Sequence, residues 1–194
     1  MPSDEGKELF IVEGKSAEST LRQAIEYSDK NIYQDVLALQ GKLVNASKVS
    51  TEKVVADLEC KKIFEKFACG TQENCKPEKI KYSRIFVLSD PDVDGTHSRA
   101  LLLTLLNIYF RPLVNSGLIS VIIPPLYRLT IKPVLASLEE SDHFAWNEEE
   151  RDQIQKDSEC IISVTRFKGI AQFSQQECLR LFLDPETRRQ INLN

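Results

Sequence analysis

Residues Arg84–Ser89 (RIFVLS) form an apolar run that leads directly into Asp90-Pro91-Asp92-Val93-Asp94-Gly95 and then into Thr96–Val114, a stretch apolar on nearly all sides. A strand apolar at consecutive positions is buried on both faces, and a helix apolar nearly all round is covered on most of its sides. The two in succession demand a parallel sheet wrapped by helices.

Other segments repeat the pattern. Leu9–Val12 (LFIV), before Glu13-Gly14, reads as a buried strand, and Ser16 is placed to cap a helix running to about Glu26. Asp35–Leu39 (DVLAL) reads as a second short strand ended by Gly41, and a helix is expected over Lys53–Lys66 before the loop chemistry of GTQENCKPEK. Gly117 is placed to end the long helix, and Ile119–Ile123 is a further strand stopped by Pro124-Pro125. After Ile131 the texture becomes polar and acidic, with a strand candidate at Cys160–Phe167 and a short helix at Gln175–Phe182. The expected fold is α/β, a mostly parallel sheet with helices on both faces plus a small C-terminal α+β tail region. The expected domains are 1–131 and 132–194.

Composition narrows the function classes. Hydrophobic residues make up 42% of the 194 and charged residues 28%, the balance of a soluble globular chain. The longest uncharged run, Ala100–Phe110, is far shorter than the ~20 residues of a membrane span. MPSDEGKELF lacks the basic start and apolar stretch of a signal peptide, so a cytoplasmic protein with no membrane partner is expected. Five cysteines leave one unpaired in any disulfide scheme, which fits a reducing compartment. Zinc at Cys60, Cys69 and Cys75 lacks a C-x2-C pair and a nearby histidine. A net charge of −4 is opposite in sign to a strong isolated DNA binder, so any grip on nucleic acid needs locally sorted charge or partners.

The chemical signal is the aspartate cluster. In open parallel sheets ligands bind beyond the carboxyl ends of strands, so LFIV and RIFVLS deliver Glu13, Asp90, Asp92 and Asp94 to one rim. Two like charges about 4 Å apart repel by roughly 4 kcal/mol at an effective dielectric near 20. Such a cluster either takes up protons or recruits a cation, and hard oxygens without His or thiolates suit Mg²⁺, with Mn²⁺ as the alternative. Asp-x-Asp-x-Asp-Gly also opens an EF-hand loop, but that loop needs a bidentate acid at its twelfth position, here Leu101, and a preceding helix. A solvated acidic turn and a phosphoacceptor aspartate are the other readings. Gly14-Lys15-Ser16 looks like the end of a phosphate loop, but its first glycine would fall at Leu9 inside the strand, so ATP binding there is rejected. Gly14 instead suits close backbone approach.

LFIVEGKSA, LALQGKLVN and VLSDPDVDGTHSRALLL follow in order, and PPLYRL, RFKG and DPETRR continue to the C-terminus. Together they resemble the Toprim domain of type IIA topoisomerases, specifically the B subunits of bacterial DNA gyrase and topoisomerase IV. The resemblance omits Val49–Tyr82 and about Lys132–Glu159. It implies magnesium-assisted cleavage and religation of double-stranded DNA, with the attacking tyrosine supplied by the topoisomerase A subunit. Other Toprim enzymes, such as primases or nucleases, and a non-cleaving divergent scaffold are the alternatives. By position, Glu13, Asp90 and Asp92 would be catalytic and metal-ligating, and Asp94 a second-site or supporting ligand. Lys42 and Asn45 match DNA-contacting positions, Arg128 and Lys168 are further DNA-facing candidates, and His97 lies beside the acids. ATP would act only through an upstream B-subunit ATPase region that this chain lacks, so the chain is expected to be part of a longer polypeptide and inert alone. The family's EGDSAGGS reads EGKSAEST here, PLKGK reads ALQGK, and KGLGE reads KGIAQ. Lys15, Gln40, Ala171 and Gln172 are therefore departures that leave the acids in place.

Overall fold

The computed structural model describes residues 6–28, 33–132, 140–158 and 161–193. Cys160, the first residue of one expected strand, lies outside them. The central sheet contains β1 (Glu8–Glu13), β2 (Gln34–Leu39), β3 (Arg84–Leu88), β4 (Ile119–Ile122) and β8 (Gln190–Asn192), in the order β2-β1-β3-β4-β8. The first four run parallel, with Val12 beside Leu88 and Glu13 beside Leu39, and β8 pairs antiparallel with β4.

Both faces of this sheet are buried, which explains the unbroken apolar runs. Leu9, Ile11, Ile85 and Val87 face a core with α2 (Thr51–Ala56), α3 (Leu58–Phe67), α4 (Val93–Tyr109) and α5 (Arg111–Asn115). Phe10, Val12, Phe86 and Leu88 face the other core, with α1 (Gly14–Tyr27), α7 (Gln175–Cys178) and the following π turn, Leu179–Leu183. The period of two along each strand thus divides one sheet between two helical layers.

Several local expectations need correction. Glu13, not Ser16, occupies the N-cap of α1, and no side chain caps that helix; Gly14 makes the strand-to-helix turn at φ +83°. The helix expected over Lys53–Lys66 is two helices, broken at Asp57, whose extended backbone and side chain cap α3 by accepting from the Cys60 amide. The long apolar helix also divides, at Phe110, because Pro112 sits in the first turn of α5 and cannot donate to a continuing helix. Gly117 does end this region, at φ +70°.

A second, antiparallel sheet orders β6 (Ser141–Ala145), β5 (Tyr127–Ile131) and β7 (Ile161–Arg166). Tyr127, Leu129 and Ala145 form its small core against Ile154 of α6 (Glu148–Asp157). The Trp146 indole N–H ties this unit to the main sheet by donating to the Ile123 carbonyl at 2.7 Å. No helix among the described residues is long and apolar enough to cross a membrane.

One polar cluster stabilises the sheet edge. Asp35, in β2, lies within 2.8 Å of Lys66, 3.4 Å of Lys7 and 3.8 Å of Arg22, and accepts from the Tyr82 hydroxyl at 3.0 Å. Burial alone would raise its pKa, but the hydrogen bonds from Lys66 and Tyr82 and the charges of Lys66 and Lys7 bring it down to about 2. A folded-state pKa below the unfolded value stabilises above the unfolded pKa of ~3.9, and that stability is lost as pH falls toward 2. Asp35→Asn should therefore cost on the order of 2 kcal/mol at pH 7 and nearly nothing below pH ~2, measured by urea unfolding at both values. Equal losses at the two pH values would refute the ionic account.

Candidate metal centre

Strand order fixes the site. The chain leaves β1 toward β2 on one side, then crosses to β3 and continues outward to β4 on the other. The switch point lies between β1 and β3, where the carboxyl ends of adjacent parallel strands leave a crevice. Glu13 ends β1 there, and Asp90 follows β3 after the buried Ser89.

Asp92 caps α4: its Oδ1 accepts from the Gly95 amide at 2.7 Å. Gly95 has no tolerance for a side chain, because a Cβ would stand 2.2 Å from the Asp90 carbonyl oxygen. That close approach folds the aspartate turn tightly onto the start of α4. Asp94 lies in the first turn, exposed, and pairs with Lys42 Nζ at 2.7 Å. The hydrogen bond from Lys42 holds the Asp94 carboxyl below its usual range, and the same bond raises the Lys42 ammonium.

Asp90 behaves differently. Burial pushes its pKa up; the Ile170 amide, donating to Oδ1 at 2.8 Å, opposes this; and the charges of Asp92 and Glu13 add to the rise. Asp90 therefore feels both Glu13 and Asp92, and Lys42 feels the same two acids besides Asp94. Among the described residues no three His, Cys, Asp or Glu side chains converge closely enough to form a ready-made cation cage. The carboxylates fit a hard divalent ion that keeps part of its shell for water and phosphate. They are hard oxygen donors, of which Asp90 is held above the usual carboxylate range by burial, and one oxygen each of Asp90 and Asp92 is already fixed by a backbone N–H.

The DNA-facing candidates divide. Lys42 is at the centre, bonded to Asp94, and Lys168 is exposed next to Gly169, which abuts the Asp90 carboxylate. Asn45 Oδ1 accepts from the Ser47 amide at 3.1 Å and hydroxyl at 2.7 Å, so its carbonyl shapes the loop. Arg128 pairs with Glu177 at 2.9 Å and lies over the Phe167 ring, which holds its guanidinium in place at the surface. His97 is exposed at the start of the second turn of α4, where its charge lowers the Asp94 pKa. Of the departures, Lys15 is exposed, the Gln40 amide donates to Glu59, and Gln172 Oε1 accepts from the Lys168 and Gly169 amides. The sequence reasoning missed Gly95, Gly169 and Ile170; the RFKG segment was visible, but not its contact with Asp90.

Four of the five cysteines are among the described residues. Cys60, Cys69, Cys75 and Cys178 are buried free thiols, and Cys69 and Cys75 face each other at 3.9 Å. The cavity beside Glu13, bounded by Gly41, Ser89, Ser98 and Arg99, holds ≈ 20 Å³. A small-molecule site needs about 300 Å³ or more. Asp92 and Asp94 are exposed and Glu13 and Asp90 half-buried, so the carboxylate rim is an open shelf rather than an enclosed pocket.

The comparisons with known proteins agree with this geometry. The Toprim domain model matches residues 8–123, from β1 to the end of β4. The chain is 35% identical over 190 residues to the B subunit of DNA topoisomerase 4 from Rickettsia bellii, a match that covers 96% of this chain and 27% of that protein. It is 32% identical over 191 residues to the B subunit of DNA gyrase from Thermotoga maritima, and 30% identical over 189 residues to the B subunit of DNA topoisomerase 4 from Staphylococcus aureus; each match covers 97% of this chain and 28% of the relative. The chain thus spans little more than a quarter of these relatives. With the family model matching residues 8–123, more than half of its length, the chain belongs to the Toprim domain family.

Proposed function

We propose that this chain is the metal-binding half of the DNA cleavage and religation centre of an ATP-dependent type IIA topoisomerase. The observation that carries the proposal is the delivery of Glu13 and Asp90 to the switch point, with Asp92 near enough that its charge and that of Glu13 act on Asp90, in a chain similar over nearly its whole length to gyrase and topoisomerase IV B subunits. Mg²⁺, or Mn²⁺, when bound there supplies Lewis-acid stabilisation to the charge that develops on a transferred phosphoryl group.

The residues divide the remaining work. Glu13, Asp90 and Asp92 present the ligand oxygens, with Asp94 in support and held by Lys42. Lys42, Asn45, Arg128 and Lys168 would face the DNA beside the break, Asn45 also shaping the loop that carries Lys42. A tyrosine of an A subunit attacks the phosphorus as the 3′ oxygen departs, and religation reverses both bonds. ATP acts through an ATPase region elsewhere in the full B subunit. The division proposed after Ile131 leaves a tail, 132–194, that braces the core from both sheets, because its β6 and β7 pair with β5 and its β8 with β4. With a net charge of −4, the chain needs partners to grip duplex DNA.

Reconstitution tests this reading. The chain, in its full B subunit and mixed with a matching A subunit, should cleave duplex DNA only when Mg²⁺ or Mn²⁺ is present. A complex that assembles and binds DNA but never cleaves points instead to a non-cleaving scaffold, and metal-dependent nicking by the chain without an A subunit points to a different Toprim chemistry.

A further inference from the structure

We infer that the turn Phe167–Phe173 is a positioning device for Asp90, in which Gly169 and the Ile170 amide set the orientation of the carboxylate. This rests on reading Asp90 as a ligand to the divalent ion.

The contact spans 80 residues of sequence: the Ile170 N–H donates to Asp90 Oδ1 at 2.8 Å. Oδ2 accepts no hydrogen bond among the described residues, so one oxygen is fixed and the other is free for a ligand. Gly169 has an extended backbone, φ −159°, which any residue adopts. Its lack of a side chain is therefore a matter of space. A Cβ there would stand 3.3 Å from both Asp90 carboxylate oxygens and 3.4 Å from Cγ, so even alanine presses on the carboxylate.

The turn is stiff enough to impose that geometry. Ile170 is buried, and the rings of Phe167 and Phe173 stack at 3.9 Å, with Phe182 edge-on to Phe173 at 5.0 Å. Gln172 closes the turn from inside, its Oε1 accepting from the Lys168 amide at 2.5 Å and the Gly169 amide at 3.2 Å. The neutral Gln172 thus supplies the acceptor that a glutamate would supply at this place, and the departure from the family sequence leaves the device intact. A carboxylate that ligates a metal is aimed by the groups that hydrogen-bond it, and loss of such a partner typically weakens metal affinity about 10- to 100-fold.

The test uses the whole chain, with Mn²⁺ binding followed by the paramagnetic resonance of the free ion and the Ile170 amide followed by nitrogen–proton correlation spectra. Gly169→Val should weaken Mn²⁺ binding by about 10- to 100-fold and move the Ile170 amide resonance, while Ala171→Ser, at an exposed neighbour, changes neither. Gln172→Met should weaken binding and Gln172→Glu should retain it, a pair that keeps the test open if Gly169→Val does not fold. Asp90→Asn separates the two claims. If it leaves Mn²⁺ affinity unchanged, the metal reading of Asp90 fails, and an Ile170 amide unmoved in Gly169→Val then overturns the positioning as well. If Asp90→Asn abolishes binding while Gly169→Val and Gln172→Met bind as wild type, the positioning inference alone is overturned.

Discussion

Asp90→Asn combined with Asp92→Asn should abolish measurable Mg²⁺ binding by the chain, and should reduce DNA cleavage by the reconstituted complex by on the order of 10³-fold. Lewis-acid stabilisation of a phosphoryl transfer is worth several kcal/mol, and each 1.4 kcal/mol is about tenfold in rate. Asparagine is the right replacement because each carboxylate has a second task. Asp92 caps α4 through the Gly95 amide, and Asp90 receives the Ile170 amide. An amide carbonyl can accept both bonds, whereas alanine at Asp92 would add a capping loss of about 1 kcal/mol. The charges themselves do not hold the fold together: burial and the nearby Asp92 and Glu13 disfavour an ionised Asp90. The double variant should thus unfold at or slightly above the wild-type urea midpoint without metal. Titration calorimetry showing unaltered Mg²⁺ binding would sink the site assignment, and a large loss of stability would mean that the acids are structural.

The second large effect lies at the other end of β1, where Glu8 begins the strand that Glu13 ends. Arg188 forms a two-pronged pair with Glu8 of β1, Nη2 to Oε1 at 2.7 Å and Nη1 to Oε2 at 2.9 Å. The arginine side chain is 3% exposed and the glutamate 14%. The guanidinium also lies 3.9 Å over the Phe86 ring, and its Nε donates to Gln190 of β8. Removing one member of a buried pair strands the other, at a typical loss of about 3–5 kcal/mol. Gln34 still donates to Glu8 Oε2, which places Arg188→Leu near the lower end, at ~3 kcal/mol. That is a large share of the ~5–15 kcal/mol that holds a domain folded. Adding Glu8→Gln to Arg188→Leu should recover much of the loss, since no buried charge is then left alone. A urea midpoint for Arg188→Leu within ~1 kcal/mol of wild type would show that the pair is idle.

How much of this was legible follows from the range over which each signal acts. RIFVLS and LFIV read as buried strands because burial on both faces leaves an unbroken apolar run. By contrast, Ser141–Ala145 is a polar strand in a small antiparallel sheet, exposed along most of its length, and its sequence carries no such mark. The break at Phe110 was readable from Pro112, yet the apolar texture on both sides concealed it. Ser16 had the chemistry of a cap but sits inside the first turn, because the positive φ of Gly14 starts the helix at the strand's last residue.

The sequence by itself determined the layered α/β class, the family, and the delivery of Glu13 and Asp90 to the ends of strands, because periodicity and short motifs act over a few residues. Only the tertiary structure decided what each acid does there: Lys42 engages Asp94, and the Ile170 amide with Gly169 fixes one side of Asp90. Those contacts join residues 52 and 80 positions apart. Hydrogen bonds and excluded volume act over a few ångströms in space, so nothing in the local sequence on either side records them.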